Sequence, residues 1–175
     1  MQRRHPLPRV WLMTDERQGD RLWTAISRLP RGAGIVFRHY GLPSGDRRVL
    51  FERVRREARR RHHLLLLAGP MRLARSWGAD GSHDRTRRPG IRSASAHDLR
   101  ELRAAERAGA ELVFVSPVFP TRSHPGARTL GRPRFGLIAR QARIKVIALG
   151  GVDRRRAAGL ARLGAYGWAG IDAWS

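Results

Sequence analysis

Two stretches of this chain narrow its choice of fold sharply. They are Phe114-Val115-Ser116-Pro117-Val118-Phe119-Pro120-Thr121 and, one helix-length further on, Ala148-Leu149-Gly150-Gly151-Val152. Each is a short apolar run that stops abruptly in small, proline, glycine or hydroxyl residues. A strand buried on both faces of a parallel sheet reads this way when its C-terminal end is delivered to a ligand. The segment between them suits a single helix, so the spacing is that of a β-loop-α-β unit. Any functional site then belongs at the C-terminal ends of the strands.

The same alternation runs along the whole chain. Strands are expected at 10–14, 33–40, 62–68, 79–83, 91–96, 111–118, 145–149 and 166–171, with helical segments at 20–29, 44–61, 70–77, 96–108, 133–142 and 154–163. Val49, Leu50, Val54 and Ala58 form the expected inner stripe of the longest helix. Asp153 is placed to cap the last one. Eight strands alternating with helices predict an α/β fold, a (β/α)8 barrel over residues 10–175, behind a short basic extension at 1–9. The barrel is expected to be trimmed. Only Asp84 to Gly90 separates the fourth and fifth strands, too little for a crossover helix, and no closing helix follows the eighth strand. A flavodoxin-like sheet needs fewer strands than this pattern supplies.

Composition excludes several classes. The net charge of +22 invites a nucleic-acid reading, but Lys145 is the only lysine among 36 basic residues. Binding to phosphates gives no reason to exclude lysine, itself a good phosphate partner, so the skew fits codon bias at least as well. Runs such as Glu52 to Arg61 read as a solvated helix face. A basic nucleic-acid-binding protein therefore stays a remote alternative. With no cysteine there is neither disulfide nor thiolate chemistry. Met1 to Val10 has no hydrophobic signal core, and Leu64 to Gly69 is too short to span a bilayer, so a cytoplasmic protein without membrane contact is expected.

Several segments, in order, resemble the thiamine phosphate synthase/TenI family. Trp11-Leu12-Met13-Thr14-Asp15 is similar to its first strand, and Gly34-Ile35-Val36-Phe37-Arg38 to its second. Ala79-Asp80-Gly81-Ser82-His83 and Ser93-Ala94-Ser95-Ala96-His97 resemble its fourth and fifth. Gly109-Ala110-Glu111 through Pro117-Val118-Phe119-Pro120-Thr121, then Ile147 to Val152 and Leu163 to Gly167, complete the set. The resemblance implies thiamine biosynthesis on a barrel. The family's synthase joins a pyrimidine diphosphate to a thiazole phosphate, releases pyrophosphate and uses Mg²⁺. The TenI branch is a thiazole tautomerase working by acid/base chemistry.

Carried over position by position, the resemblance makes Gly150, Gly151, Gly170, Ile171 and Asp172 a phosphate cradle, since glycines let a backbone approach a phosphate closely. Asp172 stands where the family has serine, and Trp168 is bulkier than usual. In the loop Pro120-Thr121-Arg122-Ser123-His124, Thr121 and Ser123 are the gripping hydroxyls. There His124 replaces a lysine and Arg122 is an alternative cation. Arg38 is retained in the second strand, where Val36 and Tyr40 replace glutamine and lysine. The family's metal-binding aspartates have no counterpart in 85–90, Asp84 being displaced. Arg85, Arg87 and Arg88 are read as surface arginines, with a metal-free diphosphate clamp as the alternative. No metal ligand is assigned, and Mg²⁺ is expected only if synthase activity is retained. His97 is the candidate catalytic histidine of a tautomerase, with His83 and Ser95 beside it, whereas His62-His63 belongs to the opposite end of the barrel. The expected function is a synthase-like step. The alternatives are a tautomerase using His97 or a non-catalytic regulator binding thiazole phosphate, and a homo-oligomer is left open.

Overall fold

Side chains alternate between the two faces of a strand, and here the alternation separates one inner layer from two outer ones. In the computed structural model, which describes residues 6–84, 90–123 and 125–174, eight parallel strands close into a barrel in sequence order. They are β1 (Val10–Met13), β2 (Gly34–Phe37), β3 (Leu64–Ala68), β4 (Gly81–His83), β5 (Ile91–Ala96), β6 (Leu112–Val115), β7 (Lys145–Ala148) and β8 (Gly167–Gly170). The helices are α1 (Arg21–Arg28), α2 (Ser44–Arg60), α3 (Met71–Ser76), α4 (Leu99–Arg107), α5 (Gly131–Gln141) and α6 (Arg154–Ala161). Among the described residues no helix lies between β4 and β5 or after β8. The expected (β/α)8 barrel is the observed one.

The inner layer contains Trp11, Met13, Val36, Leu66, Leu112, Phe114, Ile147 and Ala169, all buried. Trp11 dominates it. Its indole meets Phe114 edge to face at 5.5 Å, and its Nε1–H donates to the Pro8 carbonyl at 2.8 Å. The register pairs Trp11 with Gly34, where a Cβ would overlap the indole ring. A large side chain on one strand is thus accommodated by none on the next. Outside the ring, one cluster packs β1–β3 against α1–α3 through Leu12, Phe37, Phe51 and Trp77. Another packs β5–β8 against α4–α6 through Val113, Phe135, Val146 and Leu160.

Several boundaries differ from expectation, each for a local reason. On α2 the buried residues are Phe51, Val54 and Ala58, while Val49 is 64% exposed, so the inner stripe starts from Phe51. The second strand stops at Phe37 because the Arg38 N–H turns aside to the Thr14 hydroxyl at 3.0 Å. The sixth stops at Val115, just ahead of Pro117, which has no N–H to give a ladder. Asp98 caps α4, its carboxylate accepting from Glu101 N–H, and Asp153 caps α6 through Arg156 N–H at 2.8 Å. No helix is long and apolar enough to cross a membrane among the described residues.

His63 precedes β3 at the end of the barrel away from the strand C-termini and is buried. Burial, reinforced by the charge of Arg61, holds its imidazole at about 4 instead of the usual 6.5. The folded state therefore binds the proton less readily than the unfolded chain. The corresponding stability is fully present above pH 6.5 and is lost as pH falls toward 4. Urea unfolding across that window should show the chain losing roughly 2–3 kcal/mol that a His63→Leu variant does not lose. At neutral pH, Trp11→Ala should cost about 3–5 kcal/mol in the same measurement, because the emptied barrel centre cannot collapse.

Candidate functional site

The even spacing of inward-facing positions brings Met13, Arg38, His83, Ser95, Ser116, Leu149 and Ile171 to the C-terminal mouth of the barrel. They line a cavity of about 630 Å³. Thr121, Arg122 and Ser123 border it from the β6–α5 connection, Gly150 and Gly151 from the end of β7, and Gly170 and Asp172 from the end of β8. His97 lines it from the start of α4. Every expected site residue within the described residues thus faces one cavity; His124, Arg85, Arg87 and Arg88 lie outside them.

Gly150 and Gly151 are held by geometry of their own. Their φ values are +91° and +60°, in the left-handed region that glycine enters freely. A Cβ on Gly150 would stand 2.7 Å from the Pro117 Cα, and one on Gly151 would run into the Pro120 carbonyl. The backbone joins the same segments, Val118 N–H donating to Leu149 O at 2.9 Å and Phe119 N–H to Gly150 O at 3.0 Å. The double glycine therefore serves close packing of two strand-end loops whatever else it does. Arg156, in the first turn of α6, donates to the Gly151 carbonyl at 2.5 Å and lies over the Phe119 ring at 5.0 Å.

A chain of charges crosses the mouth from β1. Arg38 donates from Nη2 to Asp15 Oδ2 at 2.6 Å and from Nε to the Thr14 carbonyl at 2.7 Å. Arg17 donates to the other oxygen of Asp15 at 2.8 Å and, from Nη2, to the Ser123 hydroxyl at 3.0 Å. Burial alone would raise the Asp15 pKa, but the Arg17 hydrogen bonds and the Arg38 charge outweigh it and hold the carboxyl below its usual range. Burial lowers the Arg38 guanidinium, which still stays charged at neutral pH. Gln18 ties the same turn to the far strand, its Nε2 donating to Ile171 O at 2.9 Å.

The histidines differ in setting. His83 has Nδ1 at 2.8 Å from Ser93 Oγ and Nε2 at 3.2 Å from Ser95 Oγ, with its ring edge-to-face on Phe114 at 5.4 Å. His97 is at the rim, its side chain 58% exposed, with Nδ1 3.7 Å from Glu101 Oε2. The Glu101 carboxylate also accepts the His97 N–H at 2.8 Å, closing the start of α4. Trp168, bulkier than the family's usual residue, turns outward and stacks on Trp174 at 4.9 Å. The sequence reading missed Arg17, Arg128 and Arg156. The last two line the cavity, and nothing in their spacing marks them among so many arginines.

The fold and cleft define a class: closed (β/α)8 barrels whose strand ends gather arginines, hydroxyls and glycines around one cavity. A family model described as thiamine monophosphate synthase matches residues 11–174, and the chain belongs to that family. It is 30% identical over 180 residues to "Putative thiamine-phosphate synthase 2" of Aquifex aeolicus, covering 95% of this chain and 97% of that protein. It is 32% identical over 149 residues to the thiamine-phosphate synthase of Bacillus velezensis, covering 77% and 66%. The thiamine phosphate pyrophosphorylase structure from Pyrococcus furiosus superposes with a TM-score of 0.78 at 25% identity, over 93% of this chain and 85% of that one.

Gly151→Ala should lower stability by about 1–3 kcal/mol in thermal or urea unfolding, from backbone strain and the Pro120 clash. Gly45→Ala, in the first turn of α2 with nothing near its Cβ, should be neutral or stabilising by up to about 1 kcal/mol.

Proposed function

We propose that the cleft binds a thiazole monophosphate and couples it to a pyrimidine diphosphate, releasing pyrophosphate. Family membership supports the reaction class. The observation that carries the reading is the convergence of strand-end residues from both halves of the barrel on one cavity with a cationic lining. In this reading the backbone of Gly150 and Gly151, with the turn Gly170 to Asp172, receives the thiazole phosphate. The Thr121 and Ser123 hydroxyls donate to its oxygens, and Arg38 supplies positive charge. A ring-nitrogen lone pair of the thiazole forms the new C–N bond to the pyrimidine methylene as its C–O bond breaks. The electron pair of that bond leaves with the diphosphate, and no proton moves. Guanidinium groups preset around the cleft then stabilise charge where it develops.

Mg²⁺, the ion the family resemblance implies, takes hard carboxylate oxygens in near-octahedral geometry. Among the described residues no group of three His, Asp or Glu side chains could hold a metal ion. Asp15 is already engaged by Arg17 and Arg38, leaving Asp172 as the acidic side chain on the cavity wall. The described residues do not fit a dedicated metal site, and no step is routed through the ion.

A second reading, thiazole tautomerisation, is favoured by one observation: His83 sits in the barrel mouth between two serine hydroxyls, with His97 on the same cavity wall. Imidazole is the side chain best matched to proton transfer near neutral pH.

Purified protein given the pyrimidine diphosphate, thiazole phosphate and Mg²⁺ should form thiamine phosphate. Thr121→Val and Ser123→Ala should each raise the KM for thiazole phosphate, by about tenfold for a lost charge-assisted hydrogen bond. Thiazole phosphate binding without product would set the synthase reading aside. Tautomer exchange followed by NMR, in wild type and in His83→Ala and His97→Ala, then separates the tautomerase from a non-catalytic binder.

A further inference from the structure

Four arginines line the cleft, Arg38, Arg122, Arg128 and Arg156, against the single carboxylate of Asp172 among the described residues. Their commitments differ. Arg38, on the β2 side, is held by Asp15 and the Thr14 carbonyl, and Arg156 places one nitrogen on the Gly151 carbonyl. Arg122 and Arg128 are exposed at the rim. Arg122, Arg128 and Arg156 all come from the β6–α5 connection and the first turn of α6, so three guanidinium groups border the cavity from one side. Asp15, outside the cavity lining, is hydrogen-bonded by two arginines.

Resting on the coupling reaction proposed above, we propose that this arginine side of the cleft grips the diphosphate of the second substrate, and the pyrophosphate it becomes, without a divalent ion. A diphosphate offers several anionic oxygens, and a guanidinium presents a planar fork of donors that matches them two at a time. When the C–O bond of the substrate breaks, the electron pair passes to the diphosphate, whose added charge falls against these groups. A carboxylate cluster holding Mg²⁺ would serve the same end, but the described residues bring none to the cavity. Asp172 opposes the anion, so its removal strengthens the grip.

The test is calorimetric titration with inorganic pyrophosphate in EDTA and again in millimolar Mg²⁺. Binding is expected in EDTA, weakening with salt, with Mg²⁺ changing Kd less than about threefold. Arg122→Ala combined with Arg128→Ala should weaken pyrophosphate binding by about tenfold or more. Asp172→Asn should tighten it, whereas a metal ligand at that position would lose binding on the same change. Binding that requires Mg²⁺, or a double variant that binds as wild type does, would overturn the proposal. Thiazole monophosphate is titrated in parallel. Its failure to bind would remove the function proposed above, while the pyrophosphate result would still decide the arginine grip.

Discussion

Closure of the barrel at the β8–β1 seam is the constraint on which the cleft depends. The ladder there is short, pairing Val10, Trp11 and Leu12 with Trp168, Ala169 and Gly170. Reinforcement comes from around it. Trp168 N–H donates to Arg9 O at 2.8 Å, the Tyr166 hydroxyl to Leu7 O at 2.5 Å, and Gln18 Nε2 to Ile171 O at 2.9 Å. Trp174 stacks on Trp168 along the outside of the same seam, in a place where a barrel normally has helix packing. If the seam opened, Ile171 and Asp172 would separate from the β1 turn, and the cavity would lose one wall. Residues on both sides of the seam border the cavity, so stability and site geometry are coupled at this point.

Arginine does two different kinds of work in this chain. Some side chains are cross-links. Arg47 donates to the Arg38 carbonyl from two nitrogens and to the Ala68 carbonyl at 2.8 Å, tying the C-terminal ends of β2 and β3. Its guanidinium also lies near the rings of Phe37, Tyr40 and Trp77. Arg61 reaches the Leu29 carbonyl, and Arg103 the Gln141 carbonyl. Others stay at the cleft mouth with their charge turned to solvent. A planar five-donor head on a long stem suits both, and it lets Arg47 hold two carbonyls at once. The large positive charge is therefore partly structural.

Much of the fold was legible because it rests on local pattern. Strand-length apolar runs, their helix-length separations and the Asp153 cap all depend on residues close in sequence. The glycine pair was also legible as a strand end, though its fit against Pro117 and Pro120 was not. The Arg17–Ser123 contact was invisible, since it joins residues 106 apart and nothing in either neighbourhood points to the other. The orientation of Trp168 was not legible, because bulk alone says nothing of which face of a strand a residue takes. Val49 was assigned to the wrong side of α2, where a one-residue offset in a 3.6-residue period is enough to turn a side chain outward.

From the residues alone one obtains the barrel and the end of it where the strand-end loops gather, because periodicity and chain direction decide both, whereas the residue types assigned there came from the family resemblance. Folding settled the rest. It made Asp15 a partner of two arginines, left His83 between two serines and put Arg122, Arg128 and Arg156 on one side of a cavity. Long side chains reach across elements, and only closure of the ring sets which of them meet.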